Sequence, residues 1–175
     1  MNDELRGVHE SCPATKFIVS GFSQGAVIAG DVADEIGGGQ GAVPAESIAG
    51  VALIADGRRQ NGVGQNPGRK VGGVGAEIAL QPVSGLVQPI VPGASMRGAR
   101  PNGFGSLADR TFQICAPNDS VCDAPPNVSN ALERAQGLIA ANGVHAQYAS
   151  NSGVIDGTTA NQWVVGWARQ LIDAA

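Results

Sequence analysis

The sequence predicts an α/β fold in which a parallel sheet lies between two layers of helices. Residues 16–20 and 48–55 form runs that are almost continuously apolar, without the alternation of a half-exposed strand. Such runs are typical of parallel strands that helices cover on both faces. Helical patterns follow, over residues 24–36, over 128–141, and after the threonine pair at 158–159.

Length and composition predict one globular domain over residues 1–175. Apolar residues make up 43% of the chain and charged residues 15%, with 26 glycines and 10 prolines in the turns. The net charge of −4 argues against nucleic acid as a partner. No apolar run approaches the roughly 20 residues of a membrane span, and the first residues lack the basic and apolar regions of a signal peptide.

The first strand and the first long helix are joined by Gly21-Phe22-Ser23-Gln24-Gly25. This G-x-S-x-G turn between a strand and a helix is the nucleophile elbow of serine hydrolases. We expect both glycines to be required because side chains there would collide with the strand or the helix. The motif predicts Ser23 as a nucleophile, with the following backbone N–H directed at an oxyanion.

His145 is the only histidine downstream of Ser23, and the chain has just one other, His9. In hydrolases with this elbow, the order along the chain is serine, acid, histidine. We therefore predict His145 as the base. His9 lies in a polar stretch with the pattern of a solvated helix, and we assign it no role.

Two aspartates compete for the role of the acid. Asp56 directly follows the apolar strand 48–55, whereas Asp119 lies between Cys115 and Cys122, after a shorter strand. A disulfide between these cysteines would hold the loop around Asp119 and contribute about 2.5 kcal/mol at most. The alternative for Asp119 is an ordinary Asn-Asp-Ser turn. Chain order and the cysteine pair favour Asp119 over Asp56.

Three further features have competing interpretations. The Gly- and Pro-rich stretch 57–105 is either a flap that lines an acyl-chain site or a surface excursion with its own small core. We expect the basic pair Arg58-Arg59, with Arg69 and Lys70, to be solvated rather than to bind a phosphate or sulfate headgroup. We expect Trp163 and Trp167 to dock the last helix on the sheet.

The elbow, the acid between two cysteines and the late histidine together resemble the cutinase family of serine esterases. The chain is most similar to the actinobacterial cell-envelope branch, which includes phospholipase and thioesterase members. The resemblance implies an α/β-hydrolase-like three-layer sandwich, with Ser23 as nucleophile, Asp119 as acid and His145 as base. Gln24 would offer its backbone N–H to the oxyanion, and no metal or organic cofactor would be needed.

The function that the resemblance implies is hydrolysis of lipid esters or thioesters through an acyl-serine. One alternative is an acyltransferase that uses the same three residues. The other is an inactive fragment or lipid-binding module, which lacks the loop that supplies the second oxyanion donor in the family. The substrate would be a lipid or acyl ester, with peripheral contact to membrane or envelope lipid. The full-length protein would be monomeric, and secreted or held in the cell envelope, because a disulfide needs an oxidising compartment.

The chain also departs from the family pattern. Cys12 has no partner cysteine, and only about fifteen residues precede the elbow strand, where the family has further strands and loops. We therefore expect the chain to represent the C-terminal three-quarters of the family fold, without its N-terminal strands. The elbow strand would then lie at a sheet edge. The alternative for Cys12 is a buried thiol.

Overall fold

The order of helices and strands agrees with the prediction. The computed structural model of the protein describes residues 1–93, 95–139 and 143–174. The strands are β1 (Phe17–Phe22), β2 (Ile48–Ile54) and β3 (Thr111–Ile114). The helices are α1 (Asn2–Ser11), α2 (Gln24–Gly37), α3 (Ala76–Ala79), α4 (Ser84–Val87), α5 (Ala131–Ile139) and α6 (Ala160–Asp173).

Helix α5 corresponds to the helix predicted over 128–141. The predicted end of that helix at Ala141 and the side chain of Ile139 lie outside the described residues. Helix α6 begins after Thr159, whose side chain accepts a hydrogen bond from the Gln162 N–H in a capping box. Among the helices of the described ranges, none is both long and apolar enough to cross a membrane.

The strands pair in parallel in the order β1-β2-β3 within the described part of the chain. Val19 lies opposite Val51, and Val51 lies opposite Thr111 on its other side. Strand β1 is at one end of this sheet, as expected. Because the strands are parallel, the residues that follow each of them gather at one edge, and every predicted catalytic residue except His145 follows a strand there.

Helices cover both faces of the central strand. Side chains alternate between faces along a strand, and Val51 and Leu53 belong to a buried cluster with Ala29 of α2. On the opposite face, Gly50 lies against Trp167 of α6, where an added Cβ would come within 2.5 Å of the indole ring. This arrangement confirms the three-layer α/β prediction and the docking role of the tryptophans.

The stretch 57–105 has a small core of its own. Leu80, Val87 and Met96 are buried together against Ala135 of α5. This confirms the interpretation as an excursion with its own core. Residues of the same stretch also line a cavity beside the elbow, and the interpretation of this cavity as an acyl-chain site stays a prediction.

One expectation and one alternative from the sequence were wrong. Arg58 and Arg59 are buried, not solvated, at 8% and 5% exposure. The Arg58 guanidinium lies 2.8 Å from Asp31, and Arg59 Nε donates to the Cys122 carbonyl at 2.8 Å. Long-range partners thus satisfy both guanidinium groups. Cys12 is exposed, which contradicts the alternative of a buried thiol.

Candidate active site

Ser23 sits at the junction of β1 and α2 in an unusual backbone conformation, with φ 55° and ψ −120°. A non-glycine residue at positive φ costs of the order of 1–3 kcal/mol and persists only where the surroundings hold it. Here the Ser23 N–H donates to the carbonyl of Ile54 at the end of β2, at 2.8 Å. The neighbouring strand therefore fixes the turn that exposes the serine hydroxyl.

The two glycines of the elbow differ in what they do. A Cβ on Gly21 would lie 2.2 Å from the Gly25 carbonyl oxygen, so Gly21 is required by close approach. A Cβ on Gly25 would meet no atom within 4 Å. The prediction that both positions exclude a side chain was right for Gly21 and wrong for Gly25, because Gly25 is already within the first turn of α2 and faces open space.

Ser23, His145 and Asp119 form one continuous chain of hydrogen bonds. His145 Nε2 lies 2.9 Å from Ser23 Oγ. His145 Nδ1 lies 3.0 Å and 3.1 Å from the two carboxylate oxygens of Asp119. The residue types and distances are those of a serine nucleophile, a base and an orienting acid. His145 is 122 positions from Ser23 and 26 positions from Asp119 in the sequence, so the structure brings together residues that are distant along the chain.

The loop that carries Asp119 is held from several sides. The predicted Cys115–Cys122 disulfide is confirmed, with a Cα–Cα distance of 5.9 Å. Asp119 is fully buried, and its Oδ1 accepts the Val121 N–H at 2.9 Å. The carboxylate is therefore fixed before any substrate binds.

The competing aspartate, Asp56, faces an arginine. Its two carboxylate oxygens lie 2.6 Å and 3.1 Å from the guanidinium nitrogens of Arg100. Arg100 also donates to Asp31 and to the Val27 carbonyl in the first turn of α2. Burial by itself lowers the pKa of Arg100, but Asp56 and Asp31 more than offset this and raise it. Asp56 therefore anchors the helix behind the elbow.

His9 lies elsewhere, on α1, with its Nδ1 3.4 Å from Ser47 Oγ. It is not part of the series of hydrogen bonds that joins Ser23, His145 and Asp119.

Gln24 is the first residue of α2. Its N–H belongs to the first turn, whose donors have no acceptor within the helix. The positive end of the helix dipole adds to this electrostatic environment. The predicted oxyanion donor therefore lies directly after Ser23, the predicted nucleophile, at a helix N-terminus.

A cavity of about 630 Å³ opens beside Ser23 and Gln24. Its lining is mainly apolar and includes Ile28 of α2, Leu138 of α5, and Val91 and Met96. Residues 91–93 and 95–97 thus contribute part of the lining.

Charged residues also line the cavity. Arg97 forms ion pairs with Glu77 at 3.2 Å and with Asp31 at 2.5 Å. Burial raises the pKa of Glu77, and the neighbouring Arg97 acts in the opposite direction. The cavity next to Ser23 is therefore lined by both apolar and charged groups.

No group of three or more histidine, cysteine, aspartate or glutamate side chains within the described ranges is arranged to hold a metal ion.

The sequence interpretation missed two aromatic neighbours of the base. The ring of Phe22 stacks on the His145 ring at a centroid distance of 5.0 Å. Tyr148, three residues after His145, places its hydroxyl on Asp119. Phe22 lies inside the elbow motif, and the His-x-x-Tyr spacing is visible in the sequence. Their partners became apparent only in three dimensions.

Comparisons with known proteins show which proteins this chain resembles. The family model described as Cutinase matches residues 1–166. The chain is 65% identical over 173 residues to a Corynebacterium glutamicum protein named Carboxylesterase Culp6 homolog, a match that covers 99% of this chain. The chain spans 56% of the length of that relative.

A solved structure described as a novel cutinase-like protein from Cryptococcus sp. has the same fold. The TM-score is 0.60 at 23% sequence identity, and the match covers 97% of this chain and 66% of that one.

Proposed function

Because the chain belongs to the cutinase family, we propose that it hydrolyses carboxylic esters through an acyl intermediate on Ser23. The observation that carries the proposal is the continuous hydrogen-bonded chain from Ser23 Oγ through His145 to the buried Asp119 carboxylate. A serine hydroxyl is a weak nucleophile by itself, and an adjacent, oriented base activates it.

In the proposed reaction, Ser23 Oγ attacks the ester carbonyl while His145 Nε2 takes its proton. Asp119 holds the imidazole so that Nδ1 carries a hydrogen, and stabilises the imidazolium that forms. His145 then gives the proton to the leaving alcohol, and the acyl group stays on Ser23. A water, deprotonated by the same imidazole, releases the acid. The Gln24 N–H donates to the carbonyl oxygen as negative charge develops there.

The cavity supports a substrate with an apolar acyl chain. Its lining beside Ser23 includes Ile28, Val91 and Met96, and the volume of about 630 Å³ is in the range of small-molecule sites. The Arg97–Glu77 pair, which also lines the cavity, offers hydrogen bonds to a polar headgroup. We therefore propose lipid esters or thioesters as the substrate class.

Two observations support contact with lipid outside the cytosol. Phe22 and Ile28 are 46% and 51% exposed beside the nucleophile, an apolar rim suited to a lipid surface. The Cys115–Cys122 disulfide is stable in an oxidising compartment. We propose that the protein acts after secretion or at the cell envelope.

Labelling with a fluorophosphonate probe tests the nucleophile. We expect the wild-type protein and Ser106→Ala to be labelled, and Ser23→Ala to remain unlabelled. Ser106 is a matched control because it is exposed and precedes β3, at the opposite edge of the sheet. Equal labelling of all three proteins, or of none, would contradict the proposal.

A series of p-nitrophenyl esters and acyl thioesters of increasing chain length then tests the substrate class. We expect kcat/KM to rise with the length of the acyl chain until the chain fills the apolar part of the cavity. Product analysis with an added alcohol separates hydrolysis from acyl transfer, since transfer would yield a new ester.

A further inference from the structure

We propose that Tyr148 is a positioning residue of the site, whose hydroxyl fixes the Asp119 carboxylate in the orientation in which it meets His145. This inference rests on the proposed esterase function. Tyr148 is buried, at 3% exposure. Its hydroxyl donates to Asp119 Oδ2 at 2.7 Å, and this same oxygen lies 3.0 Å from His145 Nδ1.

The direction of the hydrogen bonds is determined by the partners. The backbone N–H of Ala116 lies 2.8 Å from the Tyr148 oxygen and can only donate. The hydroxyl therefore accepts from Ala116 and has its own proton available for Asp119, whose carboxylate can only accept. Burial, followed by the nearby negative charge of Asp119, raises the pKa of Tyr148, so the hydroxyl keeps that proton.

The local structure directs two side chains to one carboxylate. His145–Gln147 form a 3₁₀ turn, in which residues three apart lie on the same side. His145 and Tyr148 therefore both reach Asp119 from one turn. Phe22 packs against both rings, at centroid distances of 5.0 Å and 5.7 Å.

Each carboxylate oxygen of Asp119 consequently has a donor besides the histidine. Oδ1 accepts from the Val121 N–H and Oδ2 from the Tyr148 hydroxyl. Hydrogen bonds to an ionised group are stronger than those between neutral groups, and they therefore restrict rotation of the carboxylate. Without the hydroxyl, Oδ2 keeps its contact with His145 but loses its second donor, and a misplaced catalytic group lowers the rate steeply.

The variant Tyr148→Phe tests the hydroxyl while keeping the ring in the core. We expect kcat for a short p-nitrophenyl ester to fall about 10- to 100-fold with KM within about twofold. Trp167→Phe is the matched control, because it also trims a buried aromatic residue but lies on α6 against Gly50. We expect this control to lower Tm with little change in kcat.

A double-mutant cycle separates positioning from general packing. If Tyr148 acts through Asp119, Tyr148→Phe lowers the rate of fluorophosphonate labelling in the wild type but has little further effect in Asp119→Asn. A kcat within about twofold of wild type, or an equal loss in both backgrounds, would overturn the inference. If the wild type is not labelled at all, the proposed function itself fails.

A spectroscopic measurement covers the case in which Tyr148→Phe does not fold. Tyr148 is the only tyrosine of the chain, so 3-fluorotyrosine reports on this position alone. We expect its ¹⁹F resonance to shift in Asp119→Asn and to move far less in Trp167→Phe. A resonance that does not respond to Asp119→Asn would also overturn the inference.

Discussion

Asp56 follows β2 and Asp119 follows β3, so both lie at the carboxyl edge of the same sheet, and both are buried, at 1% and 0% exposure. Their partners differ. Asp56 meets the guanidinium of Arg100, which is itself buried and always charged, whereas Asp119 meets a histidine and a tyrosine hydroxyl. A carboxylate paired with a permanent cation has a structural role. One paired with a group that can gain and lose a proton is suited to catalysis.

Asp119→Asn is expected to have the largest effect on activity. An amide in place of the carboxylate favours the wrong tautomer of His145, and kcat should fall by about 10⁴-fold. The unfolding free energy should fall by no more than about 2 kcal/mol, since no buried cation loses its partner. Steady-state kinetics and denaturant titration give the two numbers. A loss of stability without a loss of kcat would mean that Asp119 is the structural aspartate of the pair.

Asp56→Ala should show the opposite pattern. Removing one partner of a buried ion pair leaves Arg100 partly uncompensated, and we expect a loss of about 3–5 kcal/mol in unfolding free energy. Activity per folded molecule, measured after titration of active sites with fluorophosphonate, should fall far less than in Asp119→Asn. If kcat fell as steeply as in Asp119→Asn, the assignment of roles would be wrong.

The Cys115–Cys122 disulfide is a further difference between the loop that carries Asp119 and the loop that carries Asp56. Replacing both Cys115 and Cys122 by alanine should lower the unfolding free energy by about 2.5 kcal/mol at most, because the closed loop is short. We expect kcat to fall about tenfold, since the loop that carries Asp119 loses a constraint. A reductant should reproduce the loss in the wild type but not in the double variant. An unchanged kcat would show that hydrogen bonds alone hold Asp119.

The exposed ion pair Asp3–Arg6 should have the smallest effect on stability, and it is a reference for the buried ion pair Asp56–Arg100. Its atoms are 3.0 Å apart, but the Asp3 side chain is fully exposed. Such surface pairs contribute little because solvent screens them. Arg6→Gln should leave Tm unchanged within about 1 °C and kcat unaffected. A larger shift in Tm would mean that the N-terminal helix depends on this pair.

Much of the site could be predicted because its signals are local. The elbow has its residues next to each other, and the parallel strands bring the ends of β1 and β3 to one edge. His145 was identified because few histidines compete for the role, and the cysteine pair pointed to Asp119. The burial of Arg58 and Arg59 could not be predicted, because their partners, Asp31 and the Cys122 carbonyl, lie 27 and 63 residues away.

The sequence by itself determined the order of the helices and strands, the parallel sheet and the exposed serine turn. These depend on apolar runs, on a glycine and on short-range sterics, which are properties of neighbouring residues. Only the tertiary structure decided which aspartate faces the histidine, that Tyr148 also holds that aspartate, and that residues 91–93 and 95–97 line the cavity beside Ser23. Charges and hydrogen bonds act over a few ångströms in space, and chain separation carries no information about which groups come that close.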